Sequence, residues 1–201
     1  RSRPGWSFLF EEQEKIEGKD SDHCWIIDAL DGTTNLLHGM PYFCISIAAE
    51  RQKEMLAGVI CDPLRNEIFV SEKGSGAYMN DKRLRVSARK SINEALLVTF
   101  IPHRGNKNHD KFLEQLQKIM IHTAGIRSQG ASALDLAYVA AGRYEGFWNS
   151  GLQPWDIAAG MLIVREAGGI VTDEKGQSEI FNNDTIVAAN GELHAKILAL
   201  L

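Results

Sequence analysis

The chain has 201 residues, 44% of them hydrophobic and 24% charged, with a formal net charge of −4, which is ordinary for a globular protein and enough to bury a substantial core. The acidic balance excludes the broad basic field that nucleic acid or an anionic membrane would demand, and no apolar run reaches membrane-spanning length. Three cysteines, Cys24, Cys44 and Cys61, sit in or beside apolar runs without regular spacing, so they read as buried, reduced thiols of a cytoplasmic protein rather than a disulfide framework.

In chain order, Phe8-Leu9-Phe10 is a short apolar strand that runs straight into Glu11, and residues 11–22 are nearly all polar and predict a surface loop. Trp25-Ile26-Ile27 is a β-favouring run that ends in Asp28 and Asp31. Gly32-Thr33-Thr34-Asn35 follows at once, a tight turn rich in hydroxyls and backbone amides. Residues 36–41 predict a short helix and turn. Strands are expected over 43–51, 55–60, 67–71 and 77–79, with a hairpin turn at Asn80-Asp81 leading into 83–86. This half predicts a largely antiparallel sheet.

Beyond it, residues 95–101 predict a strand and 102–108 a polar loop. An amphipathic helix over 110–120 should turn Phe112, Leu113, Leu116, Ile119 and Met120 inward. Residues 125–128 read as a strand, and Ser132-Ala133-Leu134-Asp135 as a capping box opening a helix that Gly142 stops. A brief strand at Gly146-Phe147-Trp148, a mostly buried helix over 155–167 ended by Gly168-Gly169, strands at 170–172 and 186–189, and a helix over 192–201 complete the pattern. The sum is a layered α+β protein of two subdomains, sheet-rich over 1–93 and mixed α/β over 94–201.

Four acidic residues share one kind of position, the end or edge of an apolar element: Glu11, Asp28, Asp31 and Asp156. One such residue is usually a helix cap. Asp28 and Asp31 beside Gly32 make a stronger pattern, because glycine lets the backbone approach a ligand closely. Asp156, in Pro154-Trp155-Asp156-Ile157-Ala158-Ala159, needs either a cap role or a cation. If the carboxylates converge, each pair at about 4 Å repels by roughly 4 kcal/mol at an effective dielectric near 20, so protons or cations must intervene. An all-oxygen donor set favours Mg²⁺, with Ca²⁺ or Mn²⁺ as competitors, while six scattered histidines without His-x-His or His-Glu-x-x-His spacing argue against zinc. A pair of such ions would clamp a phosphoryl group, the amides of Gly32 and Thr33 would hold the phosphate, and the Thr33 hydroxyl would orient water. The chemistry implied is hydrolysis of a phosphate monoester.

The run from Trp25 through Asn35, followed by Trp155-Asp156-Ile157-Ala158-Ala159-Gly160, resembles the paired signatures of the inositol monophosphatase family, the first being Asp-x-Leu-Asp-Gly-Thr-x-Asn. The resemblance covers essentially the whole chain, including Glu11-Glu12, Pro41 and Glu166-Ala167-Gly168-Gly169. It implies the layered α/β/α/β sugar-phosphatase fold shared with fructose-1,6-bisphosphatase, Mg²⁺ dependence through two or three ions, lithium sensitivity and a homodimer. The implied substrate is a small phosphorylated polyol or sugar, inositol-1-phosphate first, with histidinol phosphate, fructose-1,6-bisphosphate or a nucleotide 3′-phosphate as alternatives. Residue by residue, Glu11, Asp28, Asp31, Asp156 and the carbonyl of Leu30 match metal ligands. Thr33, with Asp31 and Glu11, matches the catalytic set around the attacking water. Leu30, Gly32 and Thr33 border the phosphate, and Gly130-Ala131-Ser132 matches a segment that contacts ring hydroxyls, with Asn149 and Asp156 at further substrate positions.

Three departures stand out. Ala29 replaces a usual Pro, and Asn149 replaces a usual Glu, trading a charge for an amide that can still bond a hydroxyl. The family's chains usually begin earlier, with two helices and a hairpin carrying another acidic residue, so the chain is read as N-terminally shortened. The rival of another class is a macromolecular binding protein that retains the metal site.

Overall fold

The computed structural model describes every residue except 1, 2, 4, 14, 103–108, 182 and 183. Seven strands form the first sheet in sequence order: β1 (Trp6–Phe10), β2 (Asp20–Asp31), β3 (Cys44–Arg51), β4 (Glu54–Asp62), β5 (Glu67–Glu72), β6 (Gly76–Met79) and β7 (Lys82–Arg83). All neighbours are antiparallel except β1, which runs parallel to β2. The expected antiparallel meander is therefore present, with one parallel edge.

The second sheet is mixed and has the order β11-β12-β10-β8-β9, built from β8 (Leu96–Val98), β9 (Gly125–Arg127), β10 (Gly146–Ser150), β11 (Ile170–Thr172) and β12 (Thr185–Ala189). Among the described residues five α-helices complete the fold: α1 (Thr33–Leu37), α2 (His109–Met120), α3 (Ser132–Ala140), α4 (Pro154–Glu166) and α5 (His194–Leu198).

Strand alternation sorts the second sheet into two faces. Val98, Phe147, Ile186 and Ala188 face a core shared with α3, α4 and the first sheet's Ile26, Ala48, Ile60 and Phe69. Leu97, Trp148, Val187 and Ala189 face the other way, against Phe112 and Ile119 of α2 and Ile197 of α5. The layers are thus sheet, helix pair, sheet, helix pair, the α+β architecture expected. The middle helices are mostly apolar because protein covers every side: all nine residues of α3 are buried, as are Ile157 through Val164 of α4. Small residues let α4 sit close, since a Cβ on Gly58 would lie 3.0 Å from the Ala159 backbone and one on Gly160 would lie 2.6 Å from Leu136.

Several local expectations are corrected. β2 begins at Asp20, inside the stretch read as loop, because Asp20 pairs with Trp6 of β1 and the Asp22 carbonyl accepts from the Gln52 amide at 2.8 Å, while the Trp6 ring stacks on His23 at 4.5 Å. Along α2 the buried side chains are Phe112, Gln115 and Ile119; Leu113 and Met120 are 58% and 60% exposed, because only one narrow stripe of this helix meets the sheet. Ala131, not Ser132, precedes α3, and Asp135 is buried against the Tyr42 hydroxyl rather than closing a capping box. β7, β8 and α5 are shorter than the apolar runs that announced them. The polar loop expected over 102–108 lies, apart from Pro102, outside the described residues. Among the described residues no helix is long and apolar enough to cross a membrane.

Candidate active site

Asp28 and Asp31 are three positions apart, and on a regular strand they would face opposite sides of the sheet. They do not. Asp28 pairs with Ser46 of β3 and Asp31 with Cys44, so three steps on β2 oppose two on β3. This bulge at Ala29 and Leu30 resets the parity and turns both carboxylates inward, where they are 1% and 9% exposed. Asp28 Oδ1 accepts a hydrogen bond from the Leu30 amide at 2.8 Å, which ties down the bulge. Asp31 Oδ2 accepts one from the Ala133 amide of α3 at 2.7 Å, and the Cys44 thiol lies 3.8 Å from the same oxygen.

The third carboxylate comes from the opposite layer. Asp156 stands in the first turn of α4, where its Oδ2 accepts a hydrogen bond from the Gln153 amide at 2.7 Å. One carboxylate oxygen each from Asp28, Asp31 and Asp156 lies within 4.8 Å of the others. Asp156 therefore fills the cap role and joins the cluster at once. Glu11 stands exposed at the rim of the same cleft, outside the cluster of three but close enough to act on Asp28.

The electrostatics follow from the geometry. Burial, then the neighbouring Glu11 and Asp156, push Asp28 up to about 7 against the pull of the Leu30 amide. Asp31 is held well above the usual carboxylate range, by burial first and by Asp28 and Asp156 in addition. Burial raises Asp156 to about 6. Three carboxylates so placed cannot all ionise without a cation among them. Their oxygens are hard donors and suit a divalent ion of the Mg²⁺, Mn²⁺ or Ca²⁺ type.

Gly32 follows directly, with φ +93°, and a Cβ there would lie 2.9 Å from the Tyr42 carbonyl. Only glycine combines that backbone with that approach. The substitution Gly32→Ala is expected to cost about 1–3 kcal/mol, a fall of roughly 3–10 °C in melting temperature for a chain of this size. A melting temperature within a degree of the parent would show that the turn relaxes freely. Beyond Gly32, the Thr33 hydroxyl donates to the Leu30 carbonyl at 3.0 Å, so two residues named from the resemblance touch each other.

The cleft encloses about 550 Å³. Glu11, Asp28, Leu30, Asp31, Gly32, Thr33, Gly130, Ser132 and Asp156 all line it. Ala131 is fully buried behind the wall. Asn149 does not line the cleft: its Oδ1 accepts from the Ser150 amide at 2.6 Å and its Nδ2 donates to the Phe100 carbonyl at 3.1 Å. Its amide is spent on holding the chain at the edge of the cleft, and Ser150 faces the cavity instead. Sequence reasoning passed over Ser150, Phe100 and Leu152, which also line the cleft, and Asn35, whose only signal was its place in the first signature.

The model of the inositol monophosphatase family matches residues 1–201. The chain belongs to the inositol monophosphatase family. It is 49% identical over 198 residues to the inositol-1-monophosphatase of Mesorhizobium japonicum, covering 98% of this chain and 74% of that protein. It is 45% identical over 205 residues to the Nus factor SuhB of Pseudomonas aeruginosa, covering 100% and 76%. Among solved structures, the extragenic suppressor protein suhB of Bartonella henselae superposes with a TM-score of 0.96 at 50% identity, over 99% of this chain and 78% of that one. The inositol monophosphatase of Anabaena gives 0.92 at 36% identity, over 100% and 79%. These likenesses make the chain a phosphoric monoester hydrolase of the inositol monophosphatase family, with the family's fold and its carboxylate cluster.

Proposed function

We propose that the chain hydrolyses the phosphate monoester of a small uncharged polyol or sugar, inositol-1-phosphate first among them, with Mg²⁺ as its cation. The observation that carries this reading is the convergence of Asp28, Asp31 and Asp156 within 4.8 Å, beside the Gly32 turn. Glu11, the Leu30 carbonyl and the three aspartates would hold two or three ions, for which Mn²⁺ or Ca²⁺ can substitute in binding. Such ions, when bound, offset the carboxylates, lower the pKa of nearby water and neutralise the leaving oxygen. The chain's own groups do the positioning. Because the Thr33 proton is committed to the Leu30 carbonyl, its oxygen can only accept from a water, which fixes that water's orientation. Glu11 at the rim takes the proton the water gives up, and the amides of Gly32 and Thr33 receive the phosphate.

The rest of the cleft supports an uncharged alcohol. Among the described residues that line it are Phe100, Pro102, Ser132, Ser150 and Leu152, which offer apolar surface and hydroxyls to such a group. Lithium inhibition, a homodimer and a cytoplasmic location belong to the same reading.

A second reading, binding to a macromolecular partner, is supported by the names of relatives: the proteins of Pseudomonas aeruginosa and Escherichia coli, at 45% and 41% identity, are Nus factors. A panel of phosphate esters, each assayed with Mg²⁺ and with or without Li⁺, separates the two. The expected result is phosphate release fastest from inositol-1-phosphate and suppressed by Li⁺. No release from any ester would overturn the hydrolytic reading in favour of binding.

A further inference from the structure

We propose that Asn35 is a positioning residue that sets the spacing between the two walls of the cleft, and through it the preference for a polyol ester over a bare one. The inference rests on the phosphatase reading and deepens it. One wall is the turn that would receive the phosphate, Asp31 to Thr33. The other is Gly130 to Ser132, which leads into α3. The Asn35 side chain stands between them, and its amide nitrogen donates to the Tyr42 carbonyl at 2.7 Å and to the Gln129 carbonyl at 2.8 Å. A primary amide has two N–H donors, so these two bonds use both. The second spans 94 positions of sequence.

There is no slack on either side. A Cβ on Gly130, whose φ is +87°, would fall 3.0 Å from the Asn35 nitrogen, and one on Gly32 would fall 2.9 Å from the Tyr42 carbonyl. Tyr42 is itself fixed, because its buried hydroxyl donates to Asp135 of α3 at 2.6 Å. The links close into a ring: Asn35 to Tyr42, Tyr42 to α3, α3 back through Gly130 to Gln129, and Gln129 to Asn35. The Ala133 amide bond to Asp31 also joins the walls, but it acts through a group in the carboxylate cluster. Asn35 joins them without touching that cluster.

An ester with a ring grips both walls, phosphate on one and hydroxyls on the other. When the spacing is right, engaging the first end makes the second contact intramolecular and so inexpensive in entropy. An ester with no ring gains nothing from the second wall. Losing the tie should therefore penalise the two substrates unequally, whereas simple loss of folded protein would penalise them alike.

The test compares Asn35→Leu, which is close in size, adds no charge and removes both donors, with the parent on inositol-1-phosphate and on methyl phosphate under saturating Mg²⁺. The expected result is a fall in kcat/KM of about 30-fold on inositol-1-phosphate, the worth of two ordinary hydrogen bonds, carried mainly by KM. On methyl phosphate it should fall by no more than about 3-fold, since only one wall is used. Equal losses on the two esters would overturn the proposal. A parent that hydrolyses neither ester defeats the phosphatase reading instead. Amide hydrogen exchange then still tests the tie: it should rise at Gly130 and Ser132 in Asn35→Leu, and unchanged exchange there would overturn it. Tyr42→Phe, which frees the far side of the ring, provides a second variant should Asn35→Leu fail to fold. It should narrow the preference in the same direction, and an unaltered preference would count against the proposal.

Discussion

Asp31→Asn is expected to lower Mg²⁺-dependent phosphate release by at least about 1,000-fold, the scale on which cation-assisted hydrolysis responds to loss of a ligand charge, while leaving the metal-free protein as stable as its parent or more so at neutral pH. The two halves of this expectation have one cause. The Asp31 carboxylate is buried beside Asp28 and Asp156, and its charge is unfavourable there until a cation arrives. An amide of the same shape keeps an oxygen for the Ala133 amide and the fit beside Cys44, but removes the charge that attracts the ion. Removing a buried, uncompensated charge costs the fold nothing and relieves repulsion. Phosphate release and thermal melting without added metal are the two measurements. Unchanged turnover would defeat the assignment of Asp31 to the cation site; a clear loss of stability without metal would show that its charge supports the fold.

The metal-free protein should lose stability as pH rises from about 4 to about 8, and Mg²⁺ should restore it at the upper end only. Asp28 is raised to about 7 and Asp156 to about 6, both from an ordinary 3.8 and both chiefly by burial. The folded state therefore keeps protons that the unfolded chain has released. Their contribution is fully present below the unfolded value and is lost as pH climbs through about 6 and about 7. Discounted for a cleft open to water, the change is about 3 kcal/mol, or roughly 6–12 °C in melting temperature for a chain of this size. Mg²⁺ binds the ionised cluster and stabilises by mass action at pH 8, with little effect at pH 5, where protons occupy the same oxygens. A melting temperature of the metal-free protein that does not fall with pH would sink this account, as would equal Mg²⁺ shifts at the two pH values. In Asp31→Asn the pH slope should flatten, because Asp31, itself held above the usual carboxylate range by burial and its neighbours, no longer titrates.

The chemistry was legible in the sequence because it lies at the ends of strongly patterned elements. Trp25-Ile26-Ile27 and the apolar helix after Pro154 declare themselves, and their terminal aspartates are found by asking what a charge does there. The convergence of those aspartates was not legible in the same way. Period-2 alternation sends Asp28 and Asp31 to opposite faces, and only the bulge at Ala29 and Leu30 brings them together. A bulge is a property of pairing with β3, and one strand's sequence does not display it. The polar start of β2 was missed for a related reason: a ladder near the solvent needs backbone partners, not apolar side chains. Leu113 and Met120 were placed inside because periodicity gives the phase of a stripe but not the width of what covers it. Asn149 shows the limit of reading a role from position, since its amide is turned to the backbone of Phe100 and Ser150 rather than to the cleft.

The first sheet is a meander in which every strand pairs with its neighbour in sequence, so its contacts form early and locally. The cleft is built otherwise. Asp31 is held by an amide 102 positions downstream, and Asp156 arrives in the first turn of α4. Two of the three carboxylates are thus in place as soon as the meander forms, but the third and the bond that orients Asp31 wait for α3 and α4 to dock. Cation affinity then belongs to the last stage of folding. A refolding chain would show strand signal before it could hold Mg²⁺, and the ion would report on the docking of α3 and α4 rather than guide it.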